Sequence, residues 1–301
     1  MTSLGVVLVT YRRPAYLALS LDAFARQMVD ARHFVLVDNG RSSSAKSMLE
    51  AFGCRSGTEV TYLVPPENVG PAGGFDLGIA LLSKELSGED WILLLDDDDP
   101  LVYPSILQRL FASRERVEND GLRLGGIGMR GARFDRRSLR TRSIVHLDSL
   151  VEVDHLHGGF APIYRLQALW DSGGFRPELF WGFEELDVGL RITNAGWRLL
   201  ADTDTLFAAG ESRKVGATHD APRWGVHGWD PRRYYKTRNL VLIALEHCRR
   251  YDIDRAILLR LVAKPLANLI VHPIRAVAEL RCNLLAIRHA RNGILGRTLE
   301  L

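Results

Sequence analysis

Cysteine is scarce. Cys54, Cys248 and Cys282 are the only three in 301 residues, and they lack metal-ligand spacing. That excludes a disulfide scaffold or a zinc ribbon and fits reduced thiols in the cytoplasm, the expected location. Neither sign of charge dominates: a net charge of +3 and a pI near 8.8 give no ground for nucleic acid as a partner. Long hydrophobic runs are missing too. The most apolar stretch of the tail, AILLRLVAKPLANLIVHPI, is interrupted by Arg260, Lys264 and Pro265 and is too broken for a membrane span. The chain opens MTSLGVVLVTYRRP, directly into a strand pattern, so no secretory leader is expected. There is no GxGxxG fingerprint, no internal repeat and no low-complexity linker.

What is present is an ordinary globular composition, 47% hydrophobic and 25% charged, enough to bury a full core. LGVVLVTY (4–11), HFVLVDNG (33–40), TEVTYLVPP (58–66) and WILLLDDDD (91–99) read as strands. PAYLALSLDAFARQ, KSMLEAFG and the segment after ENVGPAGGF read as helices between them. Strict alternation over the first hundred residues predicts an α/β fold with a parallel sheet and right-handed crossovers. Ligands of such sheets bind at the C-terminal strand ends. Thr10-Tyr11, Asp38-Asn39 and Asp96 to Asp99 therefore share one crevice. Beyond residue 100 the pattern loosens. SILQRLFASRERV reads as a helix, LGGIGMRGARF, IVHLD and LVEVDHL as strands, and HGGFAPIYRLQALWDSGGF as a Gly-bounded turn into a helix. WGFEELDVGLRITNAGW is an amphipathic helix stopped at Gly196. Helices run from RRYYKTRN to the end, with a boundary near residue 230.

Four carboxylates at the tip of the most apolar strand need an explanation. A charge run alone reads as a solvated loop, but this one is fixed at the ligand edge. In an extended strand end Asp96 and Asp98 point one way and Asp97 and Asp99 the other. Carboxylates on one side repel unless a cation lies between them, and Mg²⁺ or Mn²⁺ with a diphosphate is the natural occupant. A prenyl-synthase DDxxD fails because its fifth position is Pro100 and its host element is a strand. A dehalogenase-type phosphatase motif fails because it belongs on the first strand. A sugar-phosphate nucleotidyltransferase requires a Gly-rich basic loop where this chain has YRRPAYL. A nucleotide-sugar site is left standing.

The ordered set VLVTYRRP, VLVDNG, ENVGPAGGF, LLLDDDD, WGFEELDVGLR, a late His and YYKTRN resembles the inverting family 2 glycosyltransferases of GT-A fold. Within these it is closest to the actinobacterial galactofuranosyltransferases and their rhamnosyltransferase relatives, which serve cell-wall polysaccharide synthesis. The resemblance covers roughly residues 4–240. It implies a GT-A domain over 1–230, with a nucleotide-sugar half at 1–100 and an acceptor half at 101–230, and a basic helical tail at 231–301. It also implies a UDP- or dTDP-sugar donor and a glycan or polyprenyl-linked acceptor. By resemblance Thr10, Tyr11 and Asp38 line the nucleoside pocket, and Arg13 and Asn68 lie by the diphosphate and sugar. Asp97 lies near the donor, and Asp96, Asp98 and His219 hold the metal of the DxD motif, with His227 the competitor for the last position. The glycines of ENVGPAGGF, Gly74 among them, let backbone come close to a bulky group beside the third strand.

An inverting transfer needs a carboxylate to take the acceptor's proton. FEELDVGLR offers Glu184, Glu185 and Asp187 in the first turns of a helix, where acidic residues also answer the helix dipole. Motif position favours Glu185, with Glu184 the competitor. Trp181 and Phe183 supply an apolar wall for a sugar. Between Arg249 and Arg297 ten Lys or Arg face three acids, so the tail is either a helical cap with a solvated basic face or a peripheral membrane contact. The readings in competition with an enzyme are a sugar-nucleotide-binding scaffold that kept the fold and lost the chemistry, and a nucleotidyltransferase. The intact set of acids argues against the first.

Overall fold

The computed structural model describes residues 2–144, 150–210 and 228–300. Strands β1 (Leu4–Thr10), β2 (His33–Asp38), β3 (Glu59–Leu63) and β4 (Trp91–Asp96) pair in parallel in the order β3-β2-β1-β4. β1 and β2 are buried along their whole length and β4 up to Leu95, as their β-branched and leucine-rich runs demand of strands covered on both faces. Helices α1 (Pro14–Ala25), α2 (Ala45–Ser56) and α3 (Gly70–Leu82) make the crossovers, and α4 (Ile106–Asn119) follows β4.

Further strands are β5 (Leu124–Gly128), β6 (Gly131–Asp135), β7 (Arg140–Ile144), β8 (Leu150–Val153), β9 (His155–Leu156), β10 (Ile163–Arg165) and β11 (Arg198–Asp202). The sheet continues β4-β10-β5-β11-β8, with β10 antiparallel to both neighbours and β8 antiparallel to β11. The sheet is therefore mixed rather than purely parallel. The sequence reading missed β10 and β11, and most of the expected IVHLD strand lies outside the described residues. Helices α5 (Leu166–Ser172), α6 (Glu184–Asn194) and α7 (Thr203–Ala208) complete this part of the chain.

α3 sits unusually close to β1. An ideal Cβ on Gly78 would lie 2.3 Å from Val7 Cγ1, and one on Gly74 would lie 2.9 Å from both γ-methyls of Val9. The glycines of this helix thus admit the first strand. Gly78→Ala is expected to destabilise the protein by about 1–3 kcal/mol, the usual cost of overpacking. Thermal unfolding of the variant, with its Tm below the parent's, checks this.

The chain divides into two compact units. The first is built from the described residues of Met1–Arg133, Ser143–Pro177 and Glu185–Arg213, and the second from those of Phe134–Arg142, Glu178–Glu184 and Lys214–Leu301. In the second, α8 (Pro231–His247), α9 (Arg250–Ala256), a π-helical stretch (Ile257–Ala263), α10 (Lys264–Ala267) and α11 (Pro273–Arg291) follow one another. Its core joins Phe180, Tyr234, Tyr235, Cys282 and Ala286. Among the described residues no helix is long and apolar enough to cross a membrane.

Candidate active site

β4 ends at Asp96, and the next acids lie in a turn. The expected strict alternation of the four carboxylates is lost there, because an extended strand no longer sets their direction. Asp97 is buried and turns toward the start of the chain. Its Oδ2 accepts from Thr10 Oγ1 at 2.7 Å and from the Tyr11 backbone N–H at 3.3 Å, and its Oδ1 from Arg13 Nη1 at 3.4 Å. Its backbone carbonyl accepts from Ser20 at 2.8 Å. Arg13 also donates to the exposed Asp98. Thr10, Tyr11, Arg13, Asp97 and Asp98 are thus one hydrogen-bonded set, as the shared crevice requires.

Asp96 meets the other half of the unit. The loop between β9 and β10, His157-Gly158-Gly159-Phe160, lies against the acidic tip. An ideal Cβ on Gly158 would fall 2.6 Å from Glu185 Oε1 and 3.4 Å from Asp96 Oδ2, and one on Gly159, at φ +73°, would fall 2.2 Å from Asp99 Oδ2. Only glycine lets three carboxylates from β4 and α6 close on this backbone. Burial, then repulsion from Glu185, Asp98, Asp99 and Asp97, holds the Asp96 carboxyl well above the usual carboxylate range. Tyr164 of β10 is fully buried, and burial followed by the Glu185 charge pushes its phenol up. Sequence reading saw HGGF only as a turn. The doubled glycine ahead of a tyrosine was the available signal.

α6 is anchored by an ion triad. Asp187, fully buried, accepts from Arg176 Nε at 3.1 Å and from Arg191 Nε and Nη2 at 3.0 and 2.6 Å. Arg191 Nη2 also donates to the Gly174 carbonyl at 2.6 Å. The third acid of the FEELD run therefore fixes the helix that carries Glu185. Glu184 is buried, whereas Glu185 is the glutamate turned toward Asp96.

The other expected donor-side residues serve the scaffold directly. Asp38 is wholly buried, and its oxygens accept from Gly40 N at 2.8 Å, Ser42 N at 2.7 Å and Tyr62 Oη at 2.8 Å. Burial, and then the bond and charge of Asp38, raise the Tyr62 phenol to about 12. Asn68 Oδ1 accepts from Gly70 N at 2.9 Å and turns the chain into α3. Gly74 packs against the first strand, with an ideal Cβ 2.9 Å from both γ-methyls of Val9 and 3.5 Å from Asn39 Nδ2.

In the second unit the YYKTRN motif has a clear job. Asn239 Nδ2 donates to the carbonyls of Leu179, Trp181 and Gly182 at 2.9, 3.0 and 2.7 Å. Arg238, also fully buried, donates to Leu179 O at 2.8 Å and Gly296 O at 2.7 Å. The segment they grip is strained: Phe180, Gly182 and Phe183 all adopt left-handed backbone, at φ 60°, 86° and 67°. Trp181 carries Lys236 Nζ 5.0 Å and the Arg232 guanidinium 5.8 Å from its ring centroid.

His219 and its competitor His227 lie outside the described residues. Among the described residues the three-ligand grouping close enough for a metal is His33, Glu59 and Glu85, at the opposite strand ends. Both ring nitrogens of His33 are already engaged at 2.8 Å, by Glu85 and Thr61. At the acidic tip the available donors are all oxygens, and the repulsion that raises Asp96 is what a bound divalent cation relieves. Those residues fit Mg²⁺ or Mn²⁺.

With this geometry in hand, residues 5–142 match Glycosyl transferase family 2. The chain is 29% identical over 205 residues to galactofuranosyltransferase GlfT1 of Mycobacterium tuberculosis strain H37Rv, spanning 64% of this chain and 66% of that protein. It is 37% identical over 106 residues to galactofuranosyltransferase GlfT1 of Mycolicibacterium smegmatis, spanning 35% of this chain and 33% of the relative. The matched stretch thus covers just under two thirds of the first relative and one third of the second. Two solved structures share the architecture. Mannosyltransferase PcManGT from Pyrobaculum calidifontis, in complex with GDP-Man and Mn²⁺, aligns with a TM-score of 0.53 at 14% identity over 99% of this chain and 76% of its own. GalNAc-T7 with UDP, GalNAc and Mn²⁺ aligns at 0.59 and 12% identity over 98% and 56%. At such identities these likenesses give the fold, which is GT-A.

Proposed function

From the match of residues 5–142 to Glycosyl transferase family 2, we propose that the chain is a metal-dependent, inverting glycosyltransferase. It moves a sugar of galactofuranose or rhamnose type from a UDP- or dTDP-sugar to a hydroxyl of a glycan or polyprenyl-linked acceptor. The observation that carries the reading is the meeting of Glu185 and Asp96 across Gly158.

Thr10 and Tyr11 line the nucleoside pocket, with Asp38 holding its floor through Tyr62 and the turn at Gly40. Arg13, Asn68 and Asp97 lie on the diphosphate and sugar side. Asp96 and Asp98, with His219, would hold Mg²⁺ or Mn²⁺. When bound, the cation supplies neutralising charge to the departing diphosphate. Glu185 takes the proton of the acceptor hydroxyl as its oxygen attacks the anomeric carbon. The bond from that carbon to the diphosphate breaks in the same displacement and the electron pair leaves with the nucleotide, which inverts the centre. The same reading includes peripheral contact with the cytoplasmic face of a membrane through the basic C-terminal helices.

Asp98→Ala tests the metal. The residue is exposed, so its loss leaves the fold intact, while the gain in nucleotide affinity on adding Mn²⁺ disappears. Titration of UDP and dTDP with and without Mn²⁺ reads this. An affinity indifferent to Mn²⁺ in the parent as well as the variant would sink the metal-dependent reading.

A further inference from the structure

The second unit contains a cavity of about 1150 Å³ unlike the acidic tip in every respect. Its lining includes Arg140, Arg233, Arg255, Arg260 and Lys264, together with apolar Leu259, and among the described residues no carboxylate lines it. Arg233 is answered from behind by the buried Glu279. Among the described residues Arg260 is not: its Nη1 bonds the backbone carbonyls of Ser138 and Leu139, at 3.0 and 2.6 Å. Burial, then the charges of Arg140 and Arg233, hold its guanidinium below the usual range, so its charged neighbours are cations as well. With one carboxylate behind Arg233 and, among the described residues, none on Arg260, the cations around this cavity outnumber the acids that answer them, and an anion completes such a set. Guanidinium forks match a phosphate.

The surrounding surface says what carries that phosphate. The π-helical stretch that supplies Arg260 also leaves Leu258 and Leu259 exposed, and π-helical turns concentrate at functional sites. Just beyond α10, Ile270, Val271 and Ile274 are 94%, 68% and 86% exposed, flanked by Lys264 and Arg275. Bare aliphatic side chains beside cations are the pattern of a segment lying in a lipid interface, not of one facing water.

We propose that this cavity is a binding site for the phosphate headgroup of a membrane amphiphile, with Ile270, Val271 and Ile274 seated among the acyl chains. The site deepens the membrane part of the function proposed above and rests on it. Donor binding, being at the acidic tip, is a separate readout.

The experiment is sedimentation of the full chain with phosphatidylcholine vesicles, with and without phosphatidylglycerol, alongside nucleotide binding. The parent is expected to bind anionic vesicles at least tenfold more tightly than neutral ones. Arg140→Gln and Lys264→Gln should each weaken that binding roughly fivefold, the worth of one cation at a lipid surface. Arg281→Gln with Arg288→Gln, outside the cavity on the same unit, should change it far less. Ile270→Ser with Ile274→Ser should weaken binding to both kinds of vesicle, and nucleotide binding should stay at the parent's value in all variants. Equal losses from the cavity pair and the outside pair reduce the effect to general charge and overturn the site. Inorganic phosphate binding to the parent as tightly as anionic vesicles assigns the cavity to a free anion and overturns the amphiphile. Absence of vesicle binding with nucleotide binding intact removes the membrane contact and leaves the transferase reading standing.

Discussion

Glu185→Gln is expected to lower sugar transfer by roughly a hundredfold or more, the scale of acid–base contributions, while nucleotide-sugar and metal binding stay near the parent's. Glutamine preserves size and hydrogen-bonding capacity but cannot accept the acceptor's proton. The loss should therefore fall on kcat and leave donor affinity alone. Glu184→Gln is the companion, because Glu184 is buried where Glu185 faces Asp96. Its effect should be on stability more than on transfer. Transfer measured at saturating donor, with donor affinity determined separately, distinguishes the two. Near-parent transfer by Glu185→Gln together with a dead Glu184→Gln would move the base by one residue. Activity in both would leave the displacement without a base.

The second large effect is expected far from any donor contact. Asn239→Ala removes one amide that satisfies three carbonyls, those of Leu179, Trp181 and Gly182. Leu179 O keeps the Arg238 guanidinium and the Trp181 N–H, so the loss falls on the carbonyls of Trp181 and Gly182, at roughly 1–3 kcal/mol for each left unpaired, though the chain relaxes and the sum is not additive. More telling is where the relaxation occurs. The segment holds Phe180 and Phe183 in left-handed backbone, which costs about 1–3 kcal/mol per residue and persists only under restraint. Released, it drops into ordinary conformations and carries the start of α6 with it. The expected result is a lowered Tm and, at a temperature where the variant is still folded, a kcat loss that exceeds any loss of donor affinity. Asn239→Asp should be worse than Ala, since it aims a carboxylate at three carbonyl oxygens. A variant with a lowered Tm and parent-like kcat would leave the motif as scaffold only.

The parallel half of the sheet was legible because its strands advertise themselves. β1 and β4 are unbroken apolar runs, and Pro14 marks where α1 begins; α3 starts earlier than expected, at Gly70, inside the run read as a Gly-rich turn. The second half was not. β10 is three residues, Ile163 to Arg165, and ends against α5 with no turn residue between them. Its strand character comes from neighbours on both sides, not from its own pattern. β11, RLLAD, is short and leads without a break into α7, so nothing in its composition separates it from the surrounding helices.

The site was read in part. The acidic tip and Thr10 follow from the strand-end rule and Arg13 from the resemblance, and Asp97 joins them by hydrogen bonds. What sequence does not carry is direction. Asp38 points into its own turn, Gly74 faces Val9, and Asp187 answers two arginines. Each has the residue type of a ligand contact and the surroundings of a structural one. The role of Gly158 emerges only when β9, β10 and α6 are brought together, because a glycine's use is defined by what approaches it.

The brevity of β10 also bears on how the protein is made. Until Ile163 has left the ribosome, β4 has a partner on one side only, and its other edge is a row of unpaired backbone groups beneath Ile92, Leu93, Leu94 and Leu95. Such an edge templates pairing with any exposed strand, another copy's β4 included. β10 closes it, yet β10 lies about 70 residues downstream of β4, so the nascent chain must keep the edge guarded through the synthesis of α4 to β9. A chain that stopped anywhere in that interval would keep the four parallel strands β1 to β4 and lack the one that prevents self-association.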